Sequence, residues 1–306
     1  MAALICGSLA FDTITNFPGR FAQQILPDQV HILNVSFLVP TLRREFGGCA
    51  GNIAYNLHQL GGEAVVMATL GDDGAEYRDR LSGWGADTSL VRTVAGSYTA
   101  QAMIITDQDN NQITAFHPGA MQFAHQTAVP TDRSDLRIGI VAPDGREAML
   151  LHAAQMREAG IDFIFDPGQG LPMFGRDELE GFVDRARWVA VNDYEARMLC
   201  DRLQTDLGQL SERMNLDGVI VTLGSEGSEL WQDGVRTGVA AVAASAIMDP
   251  TGCGDAFRAA LLYGLERGWP LERCASVGNH LGAIKIAHHG PQNHKPDQRV
   301  RRLLIA

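Results

Sequence analysis

The residues best suited to chemistry lie in one short segment, Asp249-Pro250-Thr251-Gly252-Cys253-Gly254-Asp255-Ala256-Phe257. Two glycines flank a small residue just before a helical pattern of apolar residues, so backbone N–H groups at a helix start could meet an anion closely. Asp255 would repel a bound phosphate there, but it could remove a proton from a hydroxyl that attacks a phosphoryl group. A glycine-rich turn in which Asp255 caps the helix explains the same residues equally well.

Other candidate ligand contacts follow predicted strands or begin predicted helices. Asp12 comes a few residues after the first predicted strand, and ligands collect beyond the carboxyl ends of strands in open α/β sheets. Gly48 and Asn52 lie where small residues lead into a helix, so a ligand could touch the backbone and bond to the Asn52 amide. A turn aspartate and close packing of a helix on a strand are the alternative interpretations.

Three further candidates could serve a nucleotide or a metal. Asn192 and Glu195 have the spacing of a helix capping box, yet they could also hold a hydrated Mg²⁺, which keeps several waters in proteins. The segment Thr222–Gly227 follows a predicted strand and could contact phosphates and ribose, although a plain β-hairpin turn also fits. Asn279 lies among small residues that would form a flat surface for a planar ring.

The elements that position these residues alternate between short apolar strands and helical segments. This order predicts a mostly parallel sheet covered by helices on both faces, in one domain over residues 1–306. Extended segments at 31–39 and 42–46, and a hairpin formed by 99–106 and 112–117, interrupt the alternation. We expect them to form a small β-sheet lid from insertions at roughly 12–19, 30–46 and 97–118, whose open edges and apolar face would suit a homodimer.

Composition and absent motifs exclude several classes of protein. The 306 residues carry a net charge of −11, which argues against nucleic acid or an anionic membrane as the main partner. Five dispersed cysteines without CxxC spacing fit a reducing compartment, and the sequence shows no signal-peptide pattern, so we expect a cytoplasmic protein. A P-loop is excluded because GxxxxGK[ST] does not occur. A dinucleotide-dependent dehydrogenase is disfavoured because no GxGxxG follows the first predicted strand.

The order of four motifs resembles one family. Gly47–Asn52, Asn192–Glu195, Thr222–Gly227 and Asp249–Asp255 follow one another as the landmarks of the ribokinase-like (phosphofructokinase-B type) sugar and nucleoside kinases do. The resemblance covers essentially the whole chain and implies the ribokinase-like fold and ATP-dependent phosphorylation of a hydroxyl. Cys253 stands where the family usually has alanine, and either side chain is small enough for an anion hole.

The resemblance also implies a role for each motif. Asp255 would be the catalytic base, and the amides of Gly252, Cys253 and Gly254 would form the anion hole. The other implied contacts are Asp12, Gly48 and Asn52 with the sugar, Asn192 and Glu195 with Mg²⁺ through water, and Thr222, Gly224 and Gly227 at the ATP site. Asn279, on its predicted flat surface, is a further candidate for the ATP site. Some members also use a monovalent cation near the residue that corresponds to Asp249.

The substrate follows from the lid segments, which resemble those of bacterial adenosine-type nucleoside kinases. The segments are 28–37 and 114–121, and Phe37, Phe116 and Met121 would form an apolar wall against a base. The sequence therefore predicts a purine nucleoside kinase acting on adenosine, inosine or guanosine. A sugar kinase of the same fold and a non-catalytic nucleotide-binding regulator are the alternatives, and neither the preferred nucleoside nor ATP over GTP follows from the sequence.

Overall fold

The computed structural model describes residues 2–25, 34–109, 111–213 and 215–305. The strands of these residues are β1 (Ala2–Cys6), β2 (Ala10–Asn16), β3 (Thr41–Gly47), β4 (Glu63–Leu70), β5 (Val91–Thr93), β6 (Ala100–Thr106), β7 (Gln112–His117), β8 (Leu136–Val141), β9 (Asp162–Phe165), β10 (Trp188–Asn192), β11 (Gly218–Thr222), β12 (Ser228–Gln232) and β13 (Val235–Val239).

The α-helices lie mainly between the strands and after them. They are α1 (Phe21–Gln24), α2 (Cys49–Gln59), α3 (Ala75–Gly83), α4 (Arg146–Glu158), α5 (Arg176–Arg185), α6 (Asp193–Leu203), α7 (Leu207–Ser211), α8 (Cys253–Glu266), α9 (Leu271–Lys285) and α10 (Gln298–Ile305). Short 3₁₀ helices cover Gly119–Gln126, Gly168–Met173 and Gly224–Glu226.

The predicted doubly covered sheet is confirmed. Nine strands pair in the order β13-β12-β11-β10-β9-β8-β1-β4-β5, and every pair from β11 to β5 is parallel, while β12 and β13 join antiparallel at one edge. Parallel strands are buried on both faces, which explains the continuous apolar run of β1. Ile5 packs with Ile53 and Phe257 on one side, and Leu4 packs with Met149 and Phe182 on the other.

The small second sheet is also present, and its register decides which residues face the domain. Its order is β3-β2-β6-β7, with β2 and β6 parallel and the outer pairs antiparallel. Asp12 is opposite Ala102, which is opposite Phe116, so these three residues share one face. Met103 and Ile113 lie on the opposite face and are exposed. We call this second sheet the lid.

The predicted limits of the lid need two corrections. The first strand covers β2 rather than 12–19, since Pro18 lacks the N–H that a ladder needs and α1 follows it. The predicted extended segment at 31–39 forms no strand over residues 34–39, which are the part of it that the structure describes. Residues 31–33 of that segment lie outside the described residues.

Two long helices at the C-terminal end hold the site against the sheet. α8 lies against α2 and β8, and α9 covers the other side of α8. The two helices come close because α9 presents small residues, and a Cβ on Gly278 would lie 2.5 Å from the buried Phe257 ring. At Gly282, one turn further along α9, the nearest atom to a Cβ would be a backbone oxygen at 4.0 Å. Among the described residues, no helix has both the length and the apolar character that crossing a bilayer requires.

We expect Gly278→Ala to lower the free energy of unfolding by about 1–3 kcal/mol, because the new methyl group overpacks the α8–α9 contact at Phe257. Gly282→Ala is the matched control on the same helix and should stabilise the protein by about 0.5–1 kcal/mol, since alanine is the better helix former where space allows it. Urea unfolding followed by circular dichroism measures both variants. Equal effects of the two substitutions would contradict this account of the helix contact.

Candidate active site

A deep cleft of about 1090 Å³ separates the lid from the carboxyl ends of the parallel strands. This is the place where ligands bind in open α/β sheets, because helix N-termini and strand ends meet there. The cleft also receives the N-terminal ends of α2 and α8. Of the residues predicted to form the site, those on its wall are Asp12, Gly48, Asn52, Phe116, Asn192, Glu195, Thr222, Gly224, Gly252, Gly254 and Asp255.

The start of α8 has the backbone geometry of an anion site. Gly252 precedes the helix with φ 82° and ψ 4°, and no side chain caps the helix there. Left-handed backbone of this kind favours glycine, and a Cβ would also lie 2.6 Å from Pro291. Among the described residues the amides of Gly252 and Gly254 have no protein acceptor, whereas the N–H of Cys253 donates to the Pro250 carbonyl (3.2 Å). All three amides were predicted to form an anion hole, and the turn already uses the Cys253 donor, so the amides of Gly252 and Gly254 are the two that remain for an anion.

Asp255 lies in the first turn of α8, beside these amides, and is half-buried. Its Oδ2 accepts a hydrogen bond from Nδ2 of Asn52 (2.8 Å). Burial, together with the charge of Asp166, raises the pKa of Asp255 to about 6, although the Asn52 hydrogen bond and Arg258 oppose the shift. At pH 7 and above the carboxylate is ionised, yet it is far more basic than an ordinary aspartate. A group with these properties can take a proton from a bound hydroxyl.

Asn52 is placed by a hydrogen-bonded chain that the sequence did not reveal. Its Oδ1 accepts from Nε2 of Gln292 (3.0 Å), and the same Nε2 contacts the hydroxyl of Tyr77 (2.8 Å). The Tyr77 hydroxyl in turn donates to the Gly47 carbonyl (2.6 Å). Asn52 was predicted to bind a sugar hydroxyl, and the structure shows that it also orients Asp255. Gln292 follows Asn52 by 240 residues, so no local pattern could connect them.

A buried ion pair lies behind Asp255. Arg258 follows Asp255 by one helical turn and donates from Nε and one terminal nitrogen to the two carboxylate oxygens of Asp166, each at 3.2 Å. Both side chains are almost fully buried. Each charge of the pair compensates the other, which avoids the cost of leaving a single buried charge beside Asp255. Asp166 directly follows β9, and its place at the end of a short apolar run is the sequence signal that could have identified it.

Asp12 and Gly48 form the lid side and the floor of the cleft. Asp12 lies within β2 rather than in a loop after β1, and burial with the charges of Asp249, Asp255 and Glu45 raises its pKa to about 6. Gly48 starts α2 with φ 83°, and a Cβ there would lie 2.5 Å from the Ser8 carbonyl. The two residues thus combine a strong hydrogen-bond acceptor with bare backbone, which suits a polyhydroxylated ligand.

Asp144 is a further carboxyl group in the cleft that the sequence interpretation missed. It follows β8 and is buried, and Oδ1 accepts the N–H of Gly145 (2.8 Å) while Oδ2 has no partner among the described residues. Burial raises the pKa of Asp144 to about 7. Among the described residues, four carboxyl groups of the cleft wall therefore have raised pKa values: those of Asp12, Asp144, Glu195 and Asp255. Perturbed carboxyl groups gathered in one cleft are typical of a functional site.

Asn192 and Glu195 form the capping box that their spacing predicted. The N–H of Glu195 donates to Oδ1 of Asn192 (2.7 Å), and the N–H of Asn192 donates to Oε2 of Glu195 (2.8 Å). Burial raises the pKa of Glu195, and its second oxygen is left for a hydrated cation. The described residues contain no cluster of three or more metal-ligating side chains, so a fully protein-bound metal is not formed there. This chemistry fits Mg²⁺ held through water and substrate phosphates, and the magnesium role stays a prediction.

The predicted nucleotide contacts divide into two groups. Thr222 and Gly224 lie on the cleft wall, at the end of β11 and the turn after it. Gly227 and Asn279 do not lie on that wall. The Asn279 amide donates to Ser228 Oγ (3.3 Å) and to the carbonyls of Val239 (3.3 Å) and Ala240 (3.0 Å) at the end of β13, so it joins α9 to the β12–β13 hairpin. The segment Thr222–Gly227 joins β11 to β12, which pair antiparallel, so the β-hairpin turn that was the plainer interpretation of this segment is present.

Comparison with known proteins supports this arrangement. The family model described as pfkB family carbohydrate kinase matches residues 20–298. The chain is 30% identical over 297 residues to a nucleoside kinase of Methanothermobacter thermautotrophicus, covering 96% of this chain and 92% of that protein. It is 46% identical to the Burkholderia thailandensis nucleoside kinase solved in complex with inosine, with a TM-score of 0.88 over 100% of this chain and 98% of the other. A structure of that protein in complex with ADP-inosine is 47% identical with a TM-score of 0.85, covering 99% and 95%.

We expect Asp255→Asn to reduce kcat for phosphoryl transfer by about 10²–10⁴-fold, because the amide cannot accept the proton of the attacking hydroxyl. Binding of ATP, measured by calorimetry, should change little. The substitution also removes a carboxylate whose ionisation is disfavoured by burial, so thermal stability at pH 8 should not fall. Turnover equal to that of the unaltered protein would refute the role of Asp255 as the base.

The pH profile provides an independent prediction. The pKa of Asp255 is raised above its ordinary value to about 6, so the ionised base is lost as the pH falls through 6 rather than through 4. We expect kcat/KM to fall below about pH 6 and to be level above about pH 7. Asp12→Asn is the control because Asp12 has a similar pKa, and the acid limb should persist in this variant. A profile that stays level down to pH 5, or a limb that disappears with Asp12, would contradict the assignment.

Proposed function

The chain belongs to the pfkB family of carbohydrate kinases, and we propose that it acts as an ATP-dependent purine nucleoside kinase. The reaction transfers the γ-phosphoryl group of ATP to the ribose 5′-hydroxyl of adenosine, inosine or guanosine and yields the nucleoside monophosphate and ADP. The observation that supports it most strongly is Asp255, held by Asn52 beside the free amides of α8 in a cleft that the lid covers. The non-catalytic alternative is disfavoured because a regulator needs no base at this position.

Each group has one task in the transfer. Asp255 accepts the proton of the 5′-hydroxyl while that oxygen bonds to the γ-phosphorus and the bond from this phosphorus to the β–γ bridging oxygen breaks. The N–H groups of Gly252 and Gly254, together with the dipole of α8, neutralise charge on the migrating phosphoryl oxygens. Mg²⁺, when bound near Glu195 through water, supplies further charge neutralisation on the phosphates. Positioning and charge, rather than covalent chemistry on the protein, account for the rate.

The lid supports a nucleoside over a free sugar. Its inner face presents Ile104, Thr114 and Phe116 to the cleft, and Met121 lies on the wall beside them. An apolar wall suits the face of a base, whereas the hydroxyl groups of a free sugar would find no hydrogen-bond partners there. Phe37, also predicted for this wall, packs instead against Phe17 and Phe21 with ring centroids 5.0 and 5.1 Å away. The inosine complex of the Burkholderia relative points in the same direction.

A sugar kinase remains the second candidate because Asp12 and Gly48 would bind a free ring as well as a ribosyl group.

Four other expectations stay predictions: a cytoplasmic location, magnesium as the metal, ATP rather than GTP as donor, and a homodimer through the lid. The exposed outer face of the lid, with Leu42, Met103 and Ile113, supports the homodimer. We still expect no nucleic-acid partner, because the net charge is −11.

A substrate panel tests the proposal. With saturating Mg–ATP, ADP release should be faster for inosine, adenosine or guanosine than for ribose or fructose by at least about 10²-fold in kcat/KM, because only nucleosides use the lid wall. Turnover of ribose or fructose above that of every nucleoside would overturn the nucleoside assignment and favour the sugar kinase.

The role of the lid wall can be tested on one strand. Phe116 and Ile113 both lie on β7 and are 50% and 41% exposed, but only Phe116 faces the cleft. Phe116→Ala should raise KM for the preferred nucleoside by about tenfold through lost contact with the base, while Ile113→Ala should leave KM unchanged. Steady-state kinetics measures both. Equal KM values for the two variants would remove Phe116 from the base site.

A further inference from the structure

Lys285 is a buried cation that the proposed mechanism does not use. It is one of only two lysines in the chain and is the last residue of α9, with 0% of its surface exposed. Its Nζ donates to the carbonyl oxygen of Asp249 (2.7 Å) and to that of His288 (3.1 Å), and it lies 3.9 Å from Oδ1 of Asp249. An ammonium group is costly to bury unless it is paired and hydrogen-bonded, so its position requires a specific environment.

The partners of Lys285 belong to the turn that leads into the anion site. The carboxylate of Asp249 accepts the N–H of Thr251 and the N–H of Gly290, each at 2.9 Å. The N–H groups of Met248 and Asp249 both donate to the carbonyl of Ile286 at the end of α9 (2.8 and 3.1 Å). The turn before Gly252 is therefore attached to the C-terminal end of α9, where a positive charge is also favoured by the helix dipole.

Asp249 and Lys285 each shift the pKa of the other. Burial alone would raise the pKa of Asp249, but the N–H groups of Gly290 and Thr251 and the charge of Lys285 bring it below its ordinary value. Burial lowers the pKa of Lys285, and Asp249 opposes this effect. Arg43 of the lid strand β3 is the other cation near this carboxylate, at 3.8 Å, but its side chain is partly exposed.

The same position is where the family resemblance implies a dissolved monovalent cation. Two carbonyl oxygens and a carboxylate are the oxygen ligands that such an ion would need. In this chain Nζ of Lys285 already lies among the oxygens of Asp249 and His288. A second cation within the same group of ligands would be repelled at short range, so the residues present do not fit a dissolved ion beside Asp249.

We infer that Lys285 is a built-in cation that holds the turn before α8 in its anion-binding geometry, so that the protein needs no monovalent cation from solution. Lys285 is a positioning residue, since it acts on the Gly252 and Gly254 amides through the Asp249 turn and touches no reacting atom. The part of the inference that concerns turnover rests on the proposed kinase function. The part that concerns cation binding does not, and a melting temperature can test it without any substrate.

The first experiment uses the unaltered protein. Turnover of the preferred nucleoside and the melting temperature are measured in the chlorides of sodium, potassium, ammonium and tetramethylammonium at one ionic strength. We expect less than about twofold variation in kcat/KM and no cation-specific shift in melting temperature, because the site is already filled. Stimulation by potassium or ammonium of about tenfold or more would overturn the inference, and so would a melting temperature raised by either ion alone. If no nucleoside or sugar is turned over, the kinase proposal fails and the melting temperatures still decide the cation question.

The second experiment removes the charge. Lys285→Met keeps most of the methylene packing and should lower kcat/KM by more than about tenfold. Lys295 is the other lysine of the chain and is exposed, so Lys295→Met should leave kcat/KM unchanged. Lys285→Ala opens space for an ion, and ammonium or potassium should restore part of kcat/KM and raise the melting temperature, whereas tetramethylammonium should do neither. Full activity of Lys285→Met, or loss that no small cation restores in Lys285→Ala, would overturn the proposal. Should either variant fail to fold, the cation series on the unaltered protein decides the matter.

Discussion

The site depends on keeping the Asp255 carboxylate ionised and free of a salt bridge at the start of α8. A salt bridge to Asp255 would lower its pKa and remove its basicity, so its direct partner is the neutral amide of Asn52. The positive charge of Arg258 is nearby but is bonded to Asp166 instead. The consequence is a carboxylate with a pKa of about 6, basic enough to take a proton and still ionised at neutral pH.

Acidic groups crowd the cleft, and buried cations compensate for them away from the reacting centre. Asp12 and Asp144 have raised pKa values and no bonded cation among the described residues, whereas Asp166 is bonded to Arg258 and Asp249 lies beside Lys285. The cations thus stabilise the framework while the groups that face the ligand keep their proton affinity.

The lid and the main sheet contribute different parts of the same site. The carboxyl ends of the parallel strands and the two helix starts supply charge and backbone donors, which suit phosphate and sugar hydroxyls. The lid supplies Asp12 and the apolar side chains around Phe116, which suit the rest of a nucleoside. A lid over such a site also excludes water, so the phosphoryl group is less exposed to hydrolysis.

The sequence alone determined the alternation of strands and helices and the order of the four motifs, since apolar periodicity and glycine-flanked turns are local signals. It also predicted the lid hairpin correctly, but of the extended segment predicted at 31–39 the described residues 34–39 form no strand. Only the tertiary structure brought Gln292 to Asn52, Arg258 to Asp166 and Lys285 to Asp249. These contacts join residues 36 to 240 positions apart, and side-chain hydrogen bonding over such separations leaves no periodic trace in a single sequence.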